Sequence, residues 1–350
     1  MNLSSSPLDR WHSRPFLGAL SLSLALFHPF ACHGVVFYST SDSEYHTSAP
    51  AEASLVNSGW QYQGTWGSFL GTPIAPNLFI TASHVGGGIG DIFTYQGLSY
   101  STTAAYTSTT SDLRIWQVSA AFSSYAPLYT SGDEVGQPLV VMGRGTRRGA
   151  EVLNSESQPA GWLWGTADQR MRWGENDVAS VVDGGASLGQ LLQATFDRPS
   201  GLRDEAHLSI GDSGGGVFIK DTSDGLWKLA GINYGVDAYF SLAGGSDPGF
   251  NAALYDMGGF YLGTPGDYTL LSNTGQDVPS SFYSTRISAN SEWINGVISA
   301  VPETSMYGVF VGLGLAGLAV YRVSKRNLGP DQGCGHTRTE GDCPKSGDSP

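Results

Sequence analysis

Three short stretches carry residue types able to do covalent chemistry. Gly211-Asp212-Ser213-Gly214-Gly215-Gly216 sets a serine among glycines. Such a backbone can bend tightly, exposing the hydroxyl and turning N–H groups toward an atom under attack. Thr81-Ala82-Ser83-His84 ends one apolar run, and Asp112 stands at the head of another, Leu113-Arg114-Ile115-Trp116. A serine hydroxyl is a poor nucleophile until a base takes its proton. An imidazole can do so, and a carboxylate on its second nitrogen fixes the tautomer and stabilises the imidazolium. Between residues 35 and 301 the histidines are His46, His84 and His207. His46 lies in a polar stretch and His207 sits six residues before the serine, so His84 is the candidate base. Singly, these pieces read as a core histidine, a turn aspartate and a surface loop in a chain with 48 glycines. Their order along the chain sets them apart.

The elements that must position them are short strands. Residues 61–66, 68–74, 78–81, 91–95, 113–118, 138–142, 162–173, 193–196, 216–219 and 226–234 alternate or run apolar between Gly, Pro and Asn turn signals, of which Ala75-Pro76-Asn77 is the clearest. Helical periods are few. The pattern predicts an all-β chain, and composition by itself allows a sandwich as well as barrels. Cys32, Cys334 and Cys343 are the three cysteines, so residues 33–333 build their core without disulfides and hold no cysteine metal site. Residues 35–301 carry 11 Lys+Arg against 25 Asp+Glu. A surface of charge −14 repels phosphate backbones and anionic lipid, which argues against nucleic-acid partners.

With these residues in view, the chain resembles the trypsin/chymotrypsin-like serine proteases, whose pattern is T-A-A-H, D-[IL]-A-L and G-D-S-G-G in that order. Residues 282–289 followed by Trp293-Ile294 are similar to the family's closing strand and short helix. The resemblance covers about 60–298, with residues 237–281 as an insertion. It implies two six-stranded antiparallel barrels with the boundary near 120–138, a site in the cleft between them, and a short C-terminal helix. It also implies a triad of His84, Asp112 and Ser213, an oxyanion hole from the N–H groups of Gly211 and Ser213, and hydrolysis of a peptide bond through an acyl-enzyme. No metal or cofactor is called for. Counting back from Ser213 puts His207 at the base of the primary pocket, where trypsin-like members have Asp, so strict cleavage after Lys or Arg is not expected. Asn233-Tyr234-Gly235 is similar to the family's substrate-pairing S-W-G strand.

In animal members the Asp of G-D-S-G-G pairs with an amine released by cleavage before I-V-G-G. The stretch before Trp60 holds no such sequence, and an unpaired buried carboxylate costs several kcal/mol. Asp212 therefore needs another cation, and the turn Gly143-Arg144-Gly145-Thr146-Arg147-Arg148 offers Arg144 first and Arg147 second.

The ends of the chain suggest traffic across a membrane. Arg10 and Arg14 precede an apolar segment at 16–27 with small residues near 31–34, the pattern of an export signal at 1–34. Residues 35–58 read as a polar lead-in to a protease domain at 35–300. Pro302-Glu303 precedes the apolar, glycine-containing residues 306–321 and then Arg322, Lys325 and Arg326. This resembles the PEP-CTERM sorting signal, with Thr304 in place of the second proline and a polar tail at 327–350. As a helix, 306–321 would rise about 24 Å against a hydrocarbon core of ~30 Å. The resemblances together imply a serine endopeptidase exported and held at the cell envelope by a membrane helix at 301–326. Its partners would be a protein or peptide substrate, the membrane and the envelope sorting machinery, and processing could release it. A protease-fold surface protein used for binding or adhesion, and an esterase on the same fold, remain open at this stage.

Overall fold

A computed structural model describes residues 34–198, 202 and 204–301. The expected export signal, all but Gly34, and the expected sorting, membrane and tail segments from 302 onward lie outside the described residues, as do the three cysteines. Among the described residues no helix is long and apolar enough to cross a membrane.

In chain order, β1 (Val36–Phe37) is followed by six strands that close on one another: β2 (Gly64–Trp66), β3 (Phe69–Ala75), β4 (Leu78–Ala82), β5 (Ile92–Tyr95), β6 (Leu98–Thr107) and β7 (Leu113–Val118). They form a barrel in the order β2-β3-β4-β7-β6-β5. Side chains alternate across each strand. Phe79, Phe93, Trp66, Trp116 and Val118 fill the barrel, where the Phe79 and Phe93 rings stack at 3.9 Å. Leu78 and Ile80 from β4, with Leu113 and Ile115 from β7, point the other way and join Val140, Met142, Phe218 and Ile232 of the C-terminal half. The two strands that lead to His84 and Asp112 are thus buried on both faces.

The C-terminal half runs through β8 (Pro138–Gly143), β9 (Thr146–Leu153), β10 (Pro159–Ala167), β11 (Arg172–Asp177), β12 (Ser180–Asp183), β13 (Gln190–Thr195) and β14 (Ala206–His207). Then come β15 (Gly216–Lys220), β16 (Trp227–Val236), β17 (Phe240–Ser241), β18 (Ala252–Leu254), β19 (Tyr261–Thr264), β20 (Asp267–Leu270), β21 (Ser281–Arg286) and the helix α1 (Ser291–Ala300). The expected second six-stranded barrel is not what forms among these residues. Seven of their strands form a sheet, β11-β8-β15-β16-β21-β13-β12, that does not close, while β9, β10 and β18 form a separate three-stranded sheet. The free edge of β11 is engaged elsewhere: the Glu175 N–H donates to Asp204 O, and Glu175 bridges Glu205 next to β14. Between β11 and β13 the Asn176 amide, donating to Thr195 O at 2.8 Å, stands where a ladder would be. The short C-terminal helix is present as α1, and its Ile294 and Val297 pack into the cluster between the halves.

One stretch differs from its sequence reading. Residues 35–58 are no loose lead-in. Val35, Val36 and Phe37 are buried, β1 pairs with β14, and the His46 ring stacks on Trp173 at 3.5 Å. The insertion at 237–281 builds structure of its own, a β17-β19-β20 sheet, while β18 pairs with β10.

Candidate active site

Register brings the first two site residues together. β4 and β7 pair antiparallel with Ala82 opposite Leu113, so the residues just beyond that pair leave the sheet side by side. Ser83 N–H donates to Asp112 O, and a single 3₁₀ turn, Ser83–Val85, carries His84. The Asp112 carboxylate accepts the His84 backbone N–H at 2.9 Å and lies 2.5 Å from the ring Nδ1. A carboxylate only accepts, so Nδ1 carries the proton and Nε2 is left to accept. Nε2 lies 2.8 Å from the Ser213 hydroxyl. Asp112 is 8% exposed, whereas the His84 side chain is 40% exposed and open to the cleft.

Ser213 is held by its glycines. Gly214 adopts φ +77, and a Cβ there would fall on the Thr81 hydroxyl and within 2.5 Å of Leu70 O. Thr81, which donates to Leu70 O at 2.8 Å, therefore packs the Ser213 loop against β3 and β4. Gly211 at φ +93 makes the preceding bend. On the far side the loop is fixed by Asn233, whose side-chain amide donates to Met142 O at 2.8 Å and Asp212 O at 3.1 Å. Asn233 is thus buried and committed to the loop, although it borders the cleft. Tyr234 presents its ring edge-on to His84 at 5.8 Å, and burial followed by the nearby Asp112 charge raises its hydroxyl above the usual tyrosine range. Gly235 follows at a bulge between β16 and β21 and borders the same cleft.

Two sequence expectations change here. Asp212 is not met by Arg144. Its carboxylate accepts the N–H of Gly145 at 2.5 Å, the N–H of Ser209 at 2.7 Å, the Ser209 hydroxyl at 3.0 Å and the N–H of Val35. A Cβ at Gly143 or Gly145 would fall on that carboxylate, so the glycines of the turn, rather than its arginines, make the cradle. Arg144 turns to the carbonyls of Gln169 and Gly67, tying this turn to the barrel, and Arg147 reaches the Thr166 hydroxyl. Burial pushes Asp212 up to about 6, against which the backbone donors act. The polar composition of residues 35–58 as a whole hides the part of Val35. The legible signal was Val35-Val36-Phe37, an apolar start immediately after the expected signal.

His207 is the second change. It does not line the pocket but lies wholly buried beneath it, with Nδ1 donating to Leu208 O at 2.6 Å and Nε2 at 3.3 Å from the Ser280 hydroxyl. Phe196 and Phe282 meet its ring edge-on, and burial lowers it to about 4, so it is neutral. β14 turns the His207 side chain into the core where it pairs with β1. Among the described residues no group of His, Cys, Asp or Glu could hold a metal ion.

No family model matches the chain, and no curated protein matches it. Among solved structures it is similar to the passenger domain of plasmid encoded toxin, an autotransporter enterotoxin from enteroaggregative Escherichia coli. The likeness has a TM-score of 0.39 and 12% identity over 65% of this chain, which spans 21% of that one.

Proposed function

We propose that the chain is an exported serine endopeptidase. One observation carries this: the continuous relay from Asp112 Oδ2 through both nitrogens of His84 to Ser213 Oγ, at 2.5 and 2.8 Å. In the reaction, Ser213 Oγ attacks the substrate carbonyl while its proton passes to His84 Nε2, and Asp112 stabilises the imidazolium. The N–H groups of Gly211 and Ser213 receive the developing oxyanion, each worth about 2.7–4 kcal/mol in comparable sites. His84 then gives its proton to the leaving amine, and water repeats the sequence on the acyl-enzyme. Export follows from the charged and apolar pattern at 1–34, and attachment at the cell envelope from 301–326.

The test is reaction with a fluorophosphonate probe followed by a peptide library. Labelling at Ser213 with cleavage of peptides, both lost in Ser213→Ala, is the expected result. Labelling with cleavage of esters alone would make the chain an esterase. No labelling of a folded protein would leave it a binding module. For placement, the full chain should fractionate with membranes, and a chain ending at Ala300 should be soluble and active.

A further inference from the structure

We infer that the pocket beside Ser213 selects an apolar side chain at P1, the residue whose carbonyl is attacked, and that the insertion supplies the pocket's outer wall. This rests on the endopeptidase activity proposed above. The cleft encloses about 320 Å³, and Leu208, Ile210, Val236, Tyr239 and Trp164 give it an apolar lining. Among the described residues, two ionisable groups able to carry charge at neutral pH border it, His84 and Asp212, and each is committed. His84 sits between Asp112 and Ser213. Asp212 is 1% exposed and turned into its cradle of N–H donors. His207, the residue that chain counting put at the pocket base, is sealed in the core and neutral. A Lys, Arg, Asp or Glu at P1 would therefore lose hydration without gaining a counter-charge, which is costly, whereas an apolar side chain gains on burial.

The wall belongs to the insertion. Tyr239 holds φ +60, a left-handed conformation that a bulky non-glycine residue seldom adopts. Such a conformation persists only where its surroundings enforce it. Here the Tyr239 N–H donates to the Asn251 side chain at 3.3 Å, and its carbonyl accepts the Gly263 N–H at 3.0 Å. The Asn251 carbonyl in turn accepts the Trp164 N–H at 3.1 Å, joining this latch to β10 across the pocket. Asn251 and Tyr239 are thereby specificity-determining residues that lie outside the triad.

The experiment uses the full chain with a set of peptide p-nitroanilides that differ only at P1 (Phe, Leu, Ala, Lys, Glu), and peptide boronates bearing the same side chains as competitors of probe labelling. Phe or Leu should exceed Lys and Glu at least tenfold in kcat/KM and in competition. Asn251→Ala and Tyr239→Gly should each reduce the Phe-to-Ala ratio of kcat/KM several-fold, mainly through a higher KM for the Phe substrate. Thermal unfolding of each variant confirms that it is folded. A preference for Lys or Glu, or equal use of all five, overturns the inference while labelling of Ser213 still stands. Unchanged ratios in both variants overturn the role of the insertion. A chain that neither labels nor cleaves removes the endopeptidase activity itself, and the pocket assignment with it.

Discussion

Asp112 grips His84 twice, accepting the backbone N–H at 2.9 Å on one oxygen and facing the ring Nδ1 at 2.5 Å with the other. The first bond fixes where the residue sits, and the second fixes which way its ring faces. Asp112→Asn would keep the shape but could donate to Nδ1, turning the imidazole into the wrong tautomer. Turnover should fall by about 10⁴-fold with little change in KM. A fall of less than tenfold would remove Asp112 from the relay.

Gly214 brings the Ser213 loop against Thr81 and Leu70 of the barrel. Gly214→Ala would need a left-handed alanine and would press its methyl onto the Thr81 hydroxyl. We expect a loss of about 2 kcal/mol or more in stability, read by denaturant unfolding, together with loss of activity. Normal stability in this variant would mean that the two halves are not packed at Thr81.

Asp212 and His207 oppose each other in their effect on stability with pH. Burial raises Asp212 from 3.8 to about 6, so the folded chain holds that proton more tightly than the unfolded chain. Its contribution is full below pH 3.8 and is lost as pH rises through 6. Burial lowers His207 from 6.5 to about 4, so its contribution is present above pH 6.5 and is lost as pH falls through 4. Between pH 4 and 6 the two slopes largely cancel. Asp212→Asn should expose the His207 slope: relative to the parent, its unfolding free energy should rise by about 3 kcal/mol across that window. Parallel curves for variant and parent in urea titrations at pH 4, 5 and 6 would show that Asp212 does not titrate there.

Val35 lends its N–H to Asp212, a carboxylate that no cation meets among the described residues. A chain beginning at Val35 would put an α-ammonium at that point, and the added charge would offset the cost of burying the ionised carboxylate. It should unfold at higher temperature at pH 7 and turn over faster than a chain beginning several residues earlier. Equal behaviour of the two would show that the amide donors suffice. Arg144→Met, whose guanidinium reaches Gln169 and Gly67, should leave turnover within a few-fold.

Local sequence determined the chemistry and the local geometry. Alternation along 78–82 and 113–118 specifies strands, and a residue placed just past a strand end leaves the sheet, as His84 and Asp112 do. Glycine at 211 and 214 answers to backbone conformations that cost other residues more, so the serine turn was legible by residue type. Tertiary structure decided what depends on which distant partner is brought near. Whether a second sheet closes depends on who occupies the edge of β11, and that place went to the chain around Asp204. Asp212 could have been met by a cation or by amides. The close approach of Gly143, Gly145 and Val35 brings main-chain donors and the Ser209 hydroxyl into a space that no guanidinium enters. His207 shows the same limit: its place along the chain was readable, but the direction of its side chain came from pairing β14 with β1, more than 150 residues away in sequence.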